Sequence, residues 1–276
     1  VIGPELLGAR RVRELLSAHG VNPTKTLGQN FVIDPNTIRK AIAAADVLPM
    51  DHVLEIGAGA GSLTVGLARV ATRVTALEVD PGLIAVLHEV TAGIENVDVV
   101  EGDARTYDLG SINPDVLVAN LPYNIAALVV LRVLESVPTA RSLTVMTQRE
   151  VGERLSAPPG SKTYGQTSVL VAFHGAARVA GSVSRRAFWP VPGVDSVLVR
   201  IDRRPVPDVD RTTLYNVVKS AFGQRRKTLR QALATLVGSP ALAEELLRSA
   251  SVASTARAEE LPLEDFVAIA RELQVT

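Results

Sequence analysis

The segment Val53-Leu-Glu-Ile-Gly-Ala-Gly-Ala-Gly61 constrains this chain more than any other. An apolar run with one embedded acid enters a turn that has glycine at every second position, and a helical pattern opens at Ser62. Glycine lets the backbone take left-handed angles and lets a ligand approach the main chain closely. Such a turn belongs at the carboxyl end of a parallel strand, where open α/β sheets bind their ligands. The flanking sequence repeats the alternation. Short, largely β-branched stretches bounded by Gly, Pro, Asn or Asp predict strands at 52–56, 73–79, 97–101, 115–120, 142–147, 169–174 and 196–201. Helical patterns lie between them at 36–45, 62–69, 82–91, 126–136 and 149–155. The fold class expected is α/β, a doubly wound sheet. Its last two strands have no helix-length segment between them and predict an antiparallel edge hairpin.

Beyond Arg203 the texture changes. Arg204-Pro-Val-Pro-Asp208 reads as a linker. Apolar residues then recur at three- and four-residue spacing, at Leu214, Val217, Val218 and Ala221, and again at Leu229, Leu233 and Leu236. Two domains are expected, 1–205 for the α/β sheet with an N-terminal arm and 206–276 for a small all-helical domain. The 29 cations balance 29 acids, yet six cations and no acid fall between Arg211 and Ala243. That asymmetry makes Arg225, Arg226, Lys227 and Arg230 candidates for meeting an anionic partner, with a solvated helix face as the alternative. The absence of cysteine rules out disulfides, thiolate metal sites and cysteine nucleophiles. The four histidines, His19, His52, His88 and His174, lack metal-site spacing, so no metal is expected. Apolar runs stop well short of the roughly 20 residues of a membrane span, and no secretory signal pattern opens the chain. A cytoplasmic protein with no membrane partner is the expectation.

What would the glycine turn hold? A dinucleotide fingerprint needs its third glycine at the sixth position, which is Ser62 here. The spacing, with Glu55, Gly57 and Gly59, resembles instead the first motif of S-adenosylmethionine-dependent methyltransferases. Glu78 ends the second strand, where a carboxylate meets ribose hydroxyls. Asp103 follows the third, where an acceptor could take a hydrogen bond from an adenine amine. Together they indicate a nucleoside cofactor, and on these residues alone NAD remains the competing ligand.

Asn120-Leu-Pro-Tyr123 follows the next strand. An exocyclic adenine amine is a poor nucleophile because its lone pair is delocalised into the ring. Acceptors that draw its hydrogens out of plane localise that pair. An Asn side-chain oxygen and a neighbouring main-chain carbonyl are two such acceptors. Pro122 stiffens the turn, and Tyr123 offers a stacking face to an extruded base. The bland alternative is an N-x-P turn with the tyrosine in the core.

Over most of its length the chain resembles the ribosomal RNA adenine dimethyltransferases of the KsgA/Dim family. The resemblance rests on Lys25-Thr-Leu-Gly-Gln-Asn-Phe-Val-Ile-Asp34, on 148–157, on Pro159-Gly-Ser-Lys162 with Tyr164-Gly165, on Phe188-Trp-Pro-Val-Pro-Gly-Val-Asp-Ser196 and on Phe222-Gly-Gln-Arg-Arg-Lys-Thr-Leu-Arg230. Ala58 and Val32 depart from the usual Pro and Leu. The resemblance implies a Rossmann-like methyltransferase using S-adenosylmethionine on two adjacent adenosines in the 3′-terminal hairpin loop of 16S (small-subunit) rRNA. It also implies a part in late subunit assembly, with the immature small subunit as partner; a monomer is expected. Residue by residue, Asn30 and Val32 would line the cofactor site with Glu55, Gly57, Gly59 and Ala104. Glu78 would meet the ribose, Asp103 the adenine, and Asn120 both cofactor and target amine. Leu121 and Pro122 complete the catalytic turn, and Tyr123 and Phe188 are candidates for stacking the target. The helical domain would bind RNA.

Three other readings compete. A large-subunit (23S) rRNA adenine methyltransferase of the Erm type shares the fold and an N-x-P-Y motif, but 222–230 and 159–162 favour the KsgA type. A non-catalytic rRNA-binding assembly factor would not need the intact glycine turn and Asn120–Tyr123. An NAD oxidoreductase would lack any candidate hydride-transfer site.

Overall fold

The computed structural model describes residues 5–23, 28–224 and 227–275. The chain divides into two compact units, one made of 1–152 and 177–203, the other of 153–176 and 204–276. In the first, α1 (Ala9–Ala18), β1 (Phe31–Val32) and α2 (Pro35–Ala45) precede an alternating series. That series runs β2 (His52–Ile56), α3 (Ser62–Ala68), β3 (Arg73–Glu78), α4 (Pro81–Thr91), β4 (Val97–Glu101), β5 (Val116–Asn120), α5 (Ala126–Ser136) and β6 (Ser142–Gln148). After α6 (Arg149–Leu155) and α7 (Gln166–His174) come β7 (Gly175–Val183), β8 (Phe188–Trp189) and β9 (Ser196–Arg203).

Seven strands form one sheet in the order β4-β3-β2-β5-β6-β9-β7. The pairs from β4 through β6 are parallel, and β9 runs antiparallel to β6. Strand order reverses between β2 and β5, so the carboxyl ends of these strands border a crevice at a switch point. Burial explains the sequence texture: Val53, Leu54, Val116 and Leu117 are at most 1% exposed, as in a parallel sheet covered on both faces. Ile38 and Ala41 of α2 and Leu63 and Leu67 of α3 pack with Val53, Val74 and Val118. Two Asp-Pro pairs start the helices that flank the crevice. Asp34 accepts the Asn36 and Thr37 N–H groups at the start of α2, and Asp80 accepts that of Gly82 at the start of α4.

One expectation needs correction. Residues 169–174 are helical, not a strand: α7 runs between Gly165 and Gly175, and Ser168 Oγ accepts the Gly165 N–H at 3.1 Å. Its β-branched run is buried by helical neighbours, with the Phe173 ring 6.4 Å from that of Tyr215. Tertiary packing overrides the strand propensity. The edge is accordingly built by β7 and β9, and between them the chain leaves the sheet to pair β8 antiparallel with β1.

The second unit adds α8 (Arg211–Gly223), α9 (Leu229–Val237), α10 (Pro240–Ser249) and α11 (Leu263–Val275) to α7. Its core includes Leu214, Val218, Leu233, Leu247 and Phe266, all fully buried. The Phe222 and Phe266 rings stack at 5.9 Å, and the Tyr164 hydroxyl donates to the Leu261 carbonyl at 2.7 Å. This unit therefore takes up 153–176 as well as the residues beyond the linker. Among the described residues no helix is long and apolar enough to cross a membrane.

Candidate active site

The crevice is a cavity of about 250 Å³ lined entirely by the first unit. The residues expected at a cofactor, Asn30, Val32, Glu55, Gly57, Gly59, Glu78, Asp103, Ala104 and Asn120, all border it, as do Leu121, Pro122 and Tyr123. The reason is topological: each lies at or just beyond a strand's carboxyl end, or on the β1 arm laid across them.

The glycine turn leaves β2 with φ of +72° at Gly57 and +80° at Gly61. At Gly61 a side chain is excluded a second way, since a Cβ there would lie 2.9 Å from Val90 Cγ1 of α4. Glu78 braces the turn from β3. Its Oε2 accepts the Gly59 N–H at 2.8 Å, and Oε1 accepts those of Val79 and Asp80 at 2.9 and 3.1 Å. Burial raises the carboxyl's pKa even against these three N–H groups, which favour the ionised form. Glu55, at the base of the same turn, is wholly buried and pushed up to about 8. Burial is the main cause; the Thr64 side chain opposes it and the Glu78 charge adds to it. Glu55 Oε2 has no hydrogen-bond partner among the described residues. A buried, unsatisfied carboxyl oxygen on a cavity wall calls for a donor from a ligand.

Asp103 presents the opposite picture. Arg105 folds back on it, with Nε 3.0 Å from Oδ1 and 2.9 Å from Oδ2, Nη2 2.6 Å from Oδ2, and its main-chain N–H 2.8 Å from Oδ1. The hydrogen bonds from Arg105 hold the Asp103 carboxyl below the usual carboxylate range. Both oxygens are thereby occupied. Arg105 itself lines the cavity and was not among the residues expected there. Its only sequence signal is its position two residues past Asp103.

Asn120 ends β5. Its Nδ2 donates to the Asn30 carbonyl at 2.9 Å. A carbonyl can only accept, so this contact fixes the amide's orientation and turns Oδ1 the other way. Asn30 thus acts through its main chain, while its own Nδ2 donates to the Gly28 carbonyl at 3.0 Å. Tyr123 is anchored by its hydroxyl, 2.9 Å from Ser196 Oγ, and its ring stays on the cavity wall. Burial raises the Tyr123 pKa. Ser196 is fully buried, and its anchoring role was not foreseen from the sequence although its motif was singled out.

Phe188 corrects an expectation. It is fully buried, pairs with Val32 across the β1–β8 ladder, and packs with Ile38, Ala41 and Leu198, away from the cavity wall. The ladder fixes which way the side chain points, and it points into the core. On the helical unit Lys227 is exposed, whereas Arg230 Nη1 lies 2.9 Å from Glu244 Oε2. Arg225 and Arg226 lie outside the described residues, as do residues 25–27 of the opening motif. Among the described residues no group of histidine, aspartate and glutamate could hold a metal ion.

Comparison with known proteins accounts for this wall of strand ends. Residues 20–275 match the family model described as ribosomal RNA adenine dimethylase. The chain belongs to that family. It is 49% identical to the ribosomal RNA small subunit methyltransferase A of Kineococcus radiotolerans, over 96% of this chain and 91% of that protein. Among solved structures it is similar to a dimethyladenosine transferase from Plasmodium falciparum, with a TM-score of 0.78, 26% identity, and 88% and 96% of the two chains covered. It is also similar to the 23S rRNA methyltransferase ErmE, with a TM-score of 0.68, 29% identity, and 89% and 100% covered. As an rRNA adenine dimethylase the chain has a mixed α/β sheet of Rossmann-like type, in which the doubly wound expectation holds.

Proposed function

We propose that this chain dimethylates the N6 amines of two adjacent adenosines in the 3′-terminal hairpin loop of small-subunit rRNA, with S-adenosylmethionine as methyl donor. The observation that carries the reading is Asn120, whose amide nitrogen is spent on the Asn30 carbonyl so that Oδ1 is the atom left to accept. Oδ1 and a neighbouring main-chain carbonyl accept the two hydrogens of an adenine amine and hold its lone pair out of the ring plane. Tyr123, pinned by Ser196, offers its ring to the extruded base.

S-adenosylmethionine, when bound, supplies a methyl group carried on a positively charged sulfur. The residues present fit it. Glu55 has an unpartnered buried oxygen for a cationic ammonium group, and Glu78 retains acceptor capacity for ribose hydroxyls after its three main-chain bonds. Asp103 and the main chain at Ala104 line the end suited to an adenine. Gly57 and Gly59 bring bare main chain to the cavity wall. The family relatives named for the small subunit, together with 159–162 and 222–230, favour that substrate over the 23S alternative. We further read the enzyme as a cytoplasmic monomer that acts on immature subunits late in assembly, with Lys227 of the helical unit contributing to RNA binding.

The test is methylation of small subunits that lack the modification, read by mass spectrometry of their nucleosides. Wild type should yield N6,N6-dimethyladenosine at two adjacent 3′-terminal positions. Asn120→Ala should lower the rate by roughly a hundredfold or more, as for loss of a group that acts in the transition state, while remaining folded. Methyl transfer to 23S rRNA instead would overturn the substrate, and near-normal turnover by Asn120→Ala would overturn the role.

A further inference from the structure

A short basic turn stands between the two segments that orient the Asn120–Tyr123 motif. Residues Arg185–Ala187 make a single 3-10 turn between β7 and β8. Ser184 Oγ accepts the Arg186 N–H at 3.3 Å and Asp195 Oδ1 accepts that of Arg185 at 3.0 Å. On the other side the Ala187 carbonyl accepts the Ile33 N–H at 2.8 Å. Both outer anchors lead directly to the site. Asp195 precedes Ser196, which holds the Tyr123 hydroxyl; Ile33 lies three residues past Asn30, which holds the Asn120 amide.

The main chain of this turn is therefore fixed, and its side chains are not engaged. Arg185 and Arg186 are exposed, and among the described residues neither guanidinium has an ion-pair or hydrogen-bond partner. Even with the Asp195 carboxylate counted, the two guanidinium groups leave the turn positive. By contrast Arg105, Arg141, Arg200 and Arg230 all sit against acids. A guanidinium is matched in shape and charge to a phosphate. An enzyme that extrudes a base must also hold the backbone beside it against restacking.

We propose that Arg185 and Arg186 grip the sugar–phosphate backbone of the RNA next to the extruded adenosine, a catalytic-unit contact separate from the basic stretch on the helical unit. The inference rests on the RNA-methylating reading above and names the surface that meets the substrate. Because the turn is tied to Tyr123 on one side and to Asn120 on the other, a phosphate held there is registered against the target amine.

The test compares wild type with Arg185→Ala/Arg186→Ala and with Arg185→Lys/Arg186→Lys, using full-length protein and undermethylated small subunits across a range of salt. The alanine pair should bind about tenfold more weakly at low salt, and the slope of log affinity against log salt should shrink by up to about 1.4, or about 0.7 per lost contact to single-stranded RNA. The lysine pair should keep most of the slope, and S-adenosylmethionine affinity should stay within about twofold in both. A folded alanine pair with wild-type affinity and slope would overturn the proposal, as would a lysine pair that loses as much as the alanine pair. If the substrate RNA proves to be another one, the functional reading fails, and the same slope measured on that RNA still decides the role of the turn.

Discussion

The two ends of the cavity hold their carboxyl groups in opposite ways. At the glycine-turn end Glu55 and Glu78 are buried, and burial pushes both toward the neutral form. Glu78 is held by main-chain N–H groups, one of them from the turn it supports. At the other end Asp103 is partly exposed, ionised, and held by hydrogen bonds from Arg105, with the Arg132 charge adding to them. The first arrangement is part of the fold, because displacing the carboxyl displaces Gly59. The second is a side-chain contact that can exchange one donor for another. Ligand affinity should therefore be concentrated at the glycine turn, and adjustability at Asp103.

The largest effect expected is from Glu78→Ala. Losing a buried carboxyl that supports the turn and meets the ribose should weaken S-adenosylmethionine binding by ten- to a hundredfold, corresponding to about 1–3 kcal/mol for hydrogen bonds to a charged group. Calorimetry should show a smaller loss for Asp103→Ala. The reverse ranking would break the comparison.

Next comes the pH dependence set by Glu55. In the free protein its carboxyl, at about 8, is largely protonated at neutral pH. A cationic partner would favour the ionised form, so binding releases a proton below about pH 8. Affinity should rise with pH by up to about tenfold per unit until near pH 8, then level off. Glu55→Gln should bind without this slope. The same group affects stability. Its folded pKa lies above the ordinary 4.5, so the stability it confers is complete below pH 4.5 and is lost as pH climbs through about 8. Thermal melts should show wild type falling relative to Glu55→Gln across that window.

The smallest effect sharpens the other end. Arg105 occupies the oxygens that an adenine amine would need, so Arg105→Ala should tighten S-adenosylmethionine binding by two- to fivefold, the scale of an exposed ion pair. That gain should vanish in an Asp103→Ala background. A gain that survives there would mean Arg105 acts on the ligand by another route.

The sheet was legible because its signals are local. Gly57 to Gly61 needs backbone freedom, and Glu78, Asp103 and Asn120 stand where strand patterns stop. The errors arose where distant residues decide. The run from Val169 to Phe173 has strand propensity, and only its packing with Tyr215 and its bracketing glycines make it helical. Phe188 carries the right chemistry for stacking, but the pairing of two-residue strands fixes its direction, and no periodicity reports that. Arg105 sits in a loop where side-chain course is unconstrained by pattern. Ser196 was visible as part of a motif, yet its hold on Tyr123 spans 73 residues of sequence.

The helical unit is discontinuous, and this bears on how such a chain can be made or cut. The polypeptide passes from one unit to the other three times, near 152, 176 and 203. A nascent chain that has emerged only as far as 203 has every strand of its sheet. It also carries α7, whose Phe173 and His174 await Tyr215, still inside the ribosome. For the same reason a stop codon at the Pro-rich linker would not yield a tidy catalytic fragment. It would leave Phe173 and His174 of α7 without the Tyr215 ring and hydroxyl that they meet, an exposed apolar surface of the kind chaperones and proteases act on. The sequence after the linker thus completes packing begun before it: α7 is made early, but the Tyr215 that Phe173 and His174 meet comes only with the later segment of the same unit.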